Sequence, residues 1–304
     1  MTQKTITNQY NTRLHSEIIK LCNSLELPLH DNVLGSKIYT NYQRVALIIL
    51  QMRSGKALRK FVDELVESKW PRWLGLKELV SKSTLHRWIK KFDLGCLRKF
   101  LDQTTSLSQP KLMAIDATGF DSWQRSRHYE KRLKQFGVKN YKMPFAKIDL
   151  LIDTNTKLIH DFVVRIKPRH DVLGAKTMIN RLKHKEILIL ADKGYDSEYL
   201  HKLAFEKGNL LYAPVRDFKV NNPKGKHRKR CAKGNELYSR RNIVESVNFS
   251  LKSRFRGLRS KIPYMKKREF GWKVITYNLE KLAKVIRWII ANLFWDSAIF
   301  SELL

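Results

Sequence analysis

The hydrophobic period changes once along this chain, near Lys111, and that change restricts the possible folds more than any single motif. Before it, apolar residues recur at helical spacing, as in Val45, Ile48, Ile49 and Met52, and again in Leu58, Phe61, Val62, Leu65 and Val66. After it come short runs rich in Leu, Ile and Val: LMAID (112–116), KIDLLID (147–153), LIHDFVVRI (158–166), EILILAD (186–192) and NLLYAPV (209–215). The sequence DTNTK joins the second and third runs as a hairpin, while DVLGAKTMINRLKHK and SEYLHKLAFEKG read as helices, the latter closed by Gly208. The order predicts an α/β fold, a mixed sheet flanked by helices and preceded by an all-helical region. The expected joint is TSLSQP, which gives a helical region over 1–105 and a sheet domain over 106–304 that includes a C-terminal amphipathic helix.

Charge narrows the partner. Lys and Arg number 60 against 28 Asp and Glu, a formal net charge of +32, so an acidic partner is expected and nucleic acid is the first candidate. At 43% hydrophobic residues the chain has enough apolar material to fold and is no basic tail. Residues 216–273 alone hold 19 basic and 4 acidic side chains, concentrated around KVNNPKGKHRKR and KSRFRGLRSK. Over Lys219–Lys233 two readings stay open, a solvated basic loop and a surface that tracks phosphates.

Cys22, Cys96 and Cys231 are far apart and form no CxxC, so neither zinc nor a disulfide framework is expected. The start lacks the apolar core of a signal peptide, and Val45–Met52 and Trp288–Trp295 are too short to span a bilayer. The expectation is a soluble cytoplasmic protein, associated with the nucleoid, that meets no membrane. Within the helical region, SKST offers caps for a helix whose stripe of Leu85, Trp88, Ile89 and Phe92 leaves His86, Arg87, Lys90 and Lys91 outside. This is the pattern of a helix-turn-helix recognition helix, with Arg87, Lys90 and Lys91 as candidate DNA contacts. A purely structural bundle is the alternative, since the Lys69–Val80 connection is long for that motif.

Three acids stand out. Asp116 ends the first strand run and Asp192 the fourth, where open α/β sheets place their ligands. Glu245 lies in YSRRNIVESVNFSLKSRF, which reads as one helix. At 100° per residue Tyr238, Arg241, Glu245 and Lys252 fall within ~40° of one another. The neighbouring stripe of Val244, Val247, Leu251, Phe255 and Leu258 would press this helix onto the sheet. A strand-end Asp can also do no more than cap the following turn. Three converging carboxylates repel, however, and require a cation. Hard oxygen donors select Mg²⁺ or Mn²⁺, and two such ions about 4 Å apart suit phosphodiester displacement.

The spacing Tyr238-x2-Arg241-x3-Glu245-x6-Lys252 resembles the signature of prokaryotic insertion-sequence DDE transposases, and ADKGYDS around Asp192 and DATGF at Asp116 resemble that family's acidic motifs. The resemblance implies a ribonuclease H-like domain with Asp116, Asp192 and Glu245 as catalytic residues and as ligands of two divalent ions, Mg²⁺ or Mn²⁺. It implies hydrolysis at the ends of the element, then attack of the freed 3′-OH on a second phosphodiester. Tyr238, Arg241 and Lys252 would hold phosphates at the element end. The partners it implies are double-stranded DNA, both element ends and target, and a second copy of the chain in a synapsed homodimer. Asp192 and Glu245 are 53 positions apart with no Trp between them, as in compact members. Two rivals remain: a metal-dependent nuclease that never joins strands, and a silent DNA-binding derivative, against which the presence of all three acids speaks.

Overall fold

The structure is a computed structural model that describes residues 3–31, 37–121, 132, 135–137, 145–166, 170–216 and 224–301, with side chains described from 11 to 284 among these. The chain divides into two compact units, Met1–Thr104 with Trp272–Leu304, and Thr105–Gly271.

The first unit is helical: α1 (Gln3–Ser24), α2 (Asn41–Ser54), α3 (Leu58–Glu67), α4 (Trp70–Trp73), α5 (Lys82–Lys91) and α6 (Leu94–Thr104). Thr40 and Gln43 form a capping box at the start of α2, and Gly55 ends it in a left-handed conformation. Val45 to Leu50 are all buried, so α2 is apolar on every side. Ser81 caps α5 by accepting the Thr84 amide at 3.1 Å. Leu85, Trp88 and Ile89 are buried and His86, Arg87, Lys90 and Lys91 exposed, which is the predicted division of that helix. Phe92 is half-buried, its ring edge-on to Phe100 at 5.9 Å and to Trp272 at 5.3 Å. The connection after α3 is not a bare loop, since it contains α4, where the rings of Trp70 and Trp73 meet edge-on at 5.4 Å. TSLSQP also departs from the expected open linker. Thr104, Thr105 and Ser108 are buried, and the Ser108 hydroxyl donates to Asp153 at 2.8 Å.

The second unit holds a five-stranded sheet of order β3-β2-β1-β4-β5, from β1 (Leu112–Asp121), β2 (Phe145–Asp153), β3 (Ile159–Arg165), β4 (Leu188–Leu190) and β5 (Leu210–Tyr212). β2 runs antiparallel to both β1 and β3, while β4 is parallel to β1 and β5 to β4. This is the mixed, helix-flanked sheet that the order of elements predicts. The predicted hairpin closes through Asp153, whose carboxylate accepts the Asn155 amide at 2.8 Å and the Thr156 hydroxyl at 2.7 Å.

Side chains alternate across this sheet and give it two apolar faces. On one, Met113, Ile115, Leu151 and Ile189 pack with Met178 and Ile179 of α7 (Asp171–Arg181) and with Leu200 and Ala204 of α8 (Glu198–Glu206). The other face carries Ala114, Leu150 and Leu190 and meets α9 (Ile243–Phe255), which packs on β1. Val244, Val247, Leu251 and Phe255 are buried there, and Phe270 of α10 (Pro263–Ser301) lies 5.4 Å from the rings of Phe120 and Phe162.

The α7 face also contains an ionic cluster. Asp149 on β2 is fully buried and bidentate to Arg165 on β3, with Nε to Oδ2 at 2.7 Å. Arg165 reaches Asp171 in the first turn of α7 at 2.9 Å, and Lys147 pairs with the same carboxylate. Gly174 lets α7 lie against this pair, because any Cβ there would run into the Asp149 carboxylate. Helix propensity alone favours Ala over Gly by about 1 kcal/mol. Gly174→Ala should instead lower stability by ~2–4 kcal/mol in urea denaturation, because it forces apart a buried pair. A stabilised variant would mean that α7 can lift off at no cost.

Candidate active site

The register of the parallel strands sets the site. Ala114 on β1 lies opposite Leu190, the last residue of β4, so Asp116 and Asp192, each two residues further on, come level on the same face. Asp192 follows the end of β4 as expected, but Asp116 lies in the middle of its strand, because β1 runs on to Asp121 in its ladder with β2. That face is the one covered by α9. Both aspartates are half-buried. Burial pushes the Asp116 carboxyl up from 3.8 to about 6, and the negative charges of Asp192 and Glu245 push in the same direction. The Ala117 amide and the Arg241 guanidinium oppose that rise.

Asp192 does cap its turn: Oδ1 accepts the Gly194 amide at 2.7 Å, at the start of the 3₁₀ turn Lys193–Tyr195. The cap occupies one oxygen. Arg216 holds the same turn from outside, donating from its guanidinium to the carbonyls of Lys193 and Gly194, both at 2.5 Å.

Glu245 stands in the first turn of α9 with its side chain 59% exposed, and Arg241 donates to its Oε1 at 2.8 Å. One turn on, Asn248 donates to Asp116 Oδ2 at 3.2 Å, while its own Oδ1 is buried without a partner. Asn248 escapes the sequence reading. Its signal is a single polar residue at helical spacing inside the stripe Val244, Val247, Leu251 and Phe255.

The helix predicted over YSRRNIVESVNFSLKSRF is corrected in its first part. Glu236–Asn242 forms a 3₁₀ segment, and α9 begins only at Ile243. Tyr238 therefore stands before the α-helix, its ring 5.5 Å from that of Tyr212 at the end of β5. Lys252 is exposed in the last turn of α9. Arg87, Lys90 and Lys91 lie on α5 in the helical unit, where Arg87 bonds Thr84 at 3.1 Å and Lys91 pairs with Asp31. Of the basic stretch Lys219–Lys233, residues 219–223 fall outside the described residues.

Among the described residues no three His, Cys, Asp or Glu side chains gather into a ready metal cage. The donor set nevertheless suits a hard divalent cation: carboxylate oxygens, one of them held against its charge, beside an amide oxygen with no donor. Arg241 supplies the positive charge next to Glu245 in this structure.

Residues 107–279 match the transposase DDE domain family. The chain belongs to that family. It is thus a polynucleotidyl transferase with a ribonuclease H-like transposase fold, and its domain implies activity in DNA transposition. No curated protein matches the chain. Among solved structures it is similar to a piggyBac transposase, determined by cryo-electron microscopy as a synaptic complex with hairpin DNA, at 15% identity and a TM-score of 0.46, over 89% of this chain and 72% of that one. Among the described residues no helix of this transposase is long and apolar enough to cross a membrane.

Asp116 yields a test free of any metal. Its folded-state pKa lies above its unfolded value, so folding binds its proton, and the cost of Asp116 to folding grows as the pH rises from about 4 and is full above about 6. Asp116→Asn should therefore stabilise the protein in EDTA at about pH 7.5 by ~1–3 kcal/mol, and the gain should vanish below about pH 4. A variant less stable than its parent at the higher pH in urea titrations would contradict this account.

Proposed function

We propose that this chain is the transposase of a prokaryotic insertion sequence, with Asp116, Asp192 and Glu245 as its catalytic and metal-binding residues. The observation that carries the proposal is the level placement of Asp116 and Asp192 on the sheet face that α9 covers, with Glu245 near enough to raise the Asp116 pKa. These three carboxylates would hold two Mg²⁺ or Mn²⁺ ions. When bound, such ions supply activation of the attacking oxygen and neutralisation of the leaving one, first for water and then for a 3′-OH.

The remaining roles belong to the chain's own side chains. Asn248 fixes the rotamer of Asp116 through its amide. Arg216 and the Gly194 amide hold the Asp192 turn in place. Arg241, whose guanidinium lies beside Glu245, and exposed Lys252, in the last turn of α9, offer two cations suited to phosphate oxygens. Tyr238 completes this group at the element end. In the helical region (1–105), α5 presents Arg87, Lys90 and Lys91 to double-stranded DNA, while 106–304 carries the chemistry. Synapsis of two element ends takes two copies of the chain, acting in the cytoplasm at the nucleoid.

Asp116→Asn, Asp192→Asn and Glu245→Gln should each lower metal-dependent cleavage of an element-end duplex by more than ~100-fold, the loss reached on removing even an outer partner of a metal ligand. Binding should be largely spared. A variant that still cleaves well removes its residue from the triad. Parent protein given a duplex with a free 3′-OH should yield joined products; cleavage without joining would establish the nuclease instead. Arg241→Ala and Lys252→Ala should each reduce the salt slope of binding by about 1.

A further inference from the structure

The segment after the sheet's edge strand carries Lys224, Lys226, Arg228, Lys229 and Arg230, and its described part is not a loose basic loop. Glu198, in the first turn of α8, accepts the backbone amides of His227 at 3.1 Å and Arg228 at 2.9 Å. Asp196, whose side chain is fully enclosed, takes the Arg228 guanidinium at 2.6 Å and 2.5 Å and the Arg216 amide at 2.9 Å. Two turns along α8 from Glu198, the Phe205 ring lies 5.1 Å from that of His227 and 4.9 Å beneath the Arg230 guanidinium. Cys231 is buried and closes the segment. Gly225, at φ +109°, occupies a place where any side chain would collide with Glu198.

The arrangement commits two carboxylates, one aromatic ring and one glycine to fixing a short stretch of backbone. Lys224, Lys226, Lys229 and Arg230 are left exposed, and among the described residues no carboxylate pairs with any of them. Arg228 is consumed by the anchor, and Arg230 lies over Phe205 while staying exposed. Asp196 lies four residues beyond Asp192, and Arg216 bonds both to Asp196 and to the turn that follows Asp192. The anchor and the Asp192 turn therefore belong to one hydrogen-bonded unit.

We infer that residues 224–230 form a preordered platform for the backbone phosphates of duplex DNA flanking the reacting phosphodiester, with Asp196 and Glu198 as positioning residues that hold it. Ordering these cations before DNA arrives removes part of the entropy cost of binding. That the polyanion is DNA rests on the proposed transposase function. Its sequence tolerance follows from the chemistry, since phosphates are contacted without reading bases.

The test uses the full chain and a random-sequence duplex of ~40 base pairs, in EDTA, so that binding is read without cleavage. The variant Lys224→Gln/Lys226→Gln/Lys229→Gln alters only exposed side chains and should make the slope of log K against log[salt] shallower by about 2.7, roughly 0.9 for each lost contact. A slope equal to the parent's overturns the platform. For the positioning residues, Asp196→Asn should speed amide hydrogen exchange over 224–231 by at least ~10-fold and flatten the salt slope, with β1 and β2 still protected. Glu198→Gln, on a half-exposed side chain, makes the same test if Asp196→Asn does not fold. Unchanged exchange overturns the positioning role. Metal-dependent cleavage assayed on the same preparations separates the two failures. Parent protein that cleaves, beside a triple variant of parental slope, sinks the platform alone. Parent protein that never cleaves, beside a triple variant of reduced slope, sinks the transposition reading and leaves the platform standing as a DNA surface.

Discussion

The site depends on the parallel pairing of β1 with β4. Ala114 opposite Leu190 fixes the positions beyond it: two residues later β1, still in its ladder with β2, and the turn that follows β4 bring an aspartate to the same face at the same level. A slip of one residue in that ladder would turn one carboxylate through the sheet into the apolar cluster beneath α7 and α8. The register is held from below by Met113, Ile115 and Ile189, all fully buried, and from the side by the long antiparallel ladder of β1 with β2. The placement of like charges is thus enforced by hydrophobic packing that has no stake in charge.

The two faces of the sheet treat their acids in opposite ways. On the α7 face Asp149 is matched at once by Arg165, and a neighbouring Asp171 is shared with Lys147, so those charges are closed off from further partners. Burial pushes the carboxyls of both Asp149 and Asp116 up to about 6, but on the α9 face Asp116 meets the neutral amide of Asn248, where Asp149 has a guanidinium in bidentate contact. The contrast separates a structural ion cluster from an incomplete one. The acids of the α7 face carry their counter-charges with them, whereas around Asp116, Asp192 and Glu245 the guanidinium of Arg241 is paired with Glu245.

This contrast also explains what could be read from the sequence. Strand identities, the hairpin at DTNTK and the stripe of α9 follow from periodicity, because burial repeats at the period of the element. Asp149, Asp153, Asp161 and Asp171 look in one dimension much like Asp116 and Asp192. Only the fold shows that Asp149 and Asp171 take Arg165, that Asp161 takes Arg181, and that Asp153 ties a turn. Asn248 and Arg216 were illegible for a related reason: each acts through a partner more than twenty positions away, or through a backbone carbonyl that carries no sequence identity. TSLSQP has the composition of a linker, yet Thr105 and Ser108 within it are buried and Ser108 finds Asp153 across the fold.

One misreading did less damage than its size suggests. Tyr238 and Arg241 lie on a 3₁₀ segment, not on the α-helix assumed for them. In a 3₁₀ turn residues three apart eclipse, so Tyr238 and Arg241 still share a line. From Arg241 the chain crosses into α9, where residues four and seven apart again fall on one face, and the 2.8 Å contact of Arg241 with Glu245 bridges the junction. The spacing of three, then four, then seven is tolerant of where one helix type gives way to the other. A tighter first turn also has a use. It turns Tyr238 toward Tyr212 at the sheet's edge, and so ties the start of this signature to the strand next to the one that carries Asp192.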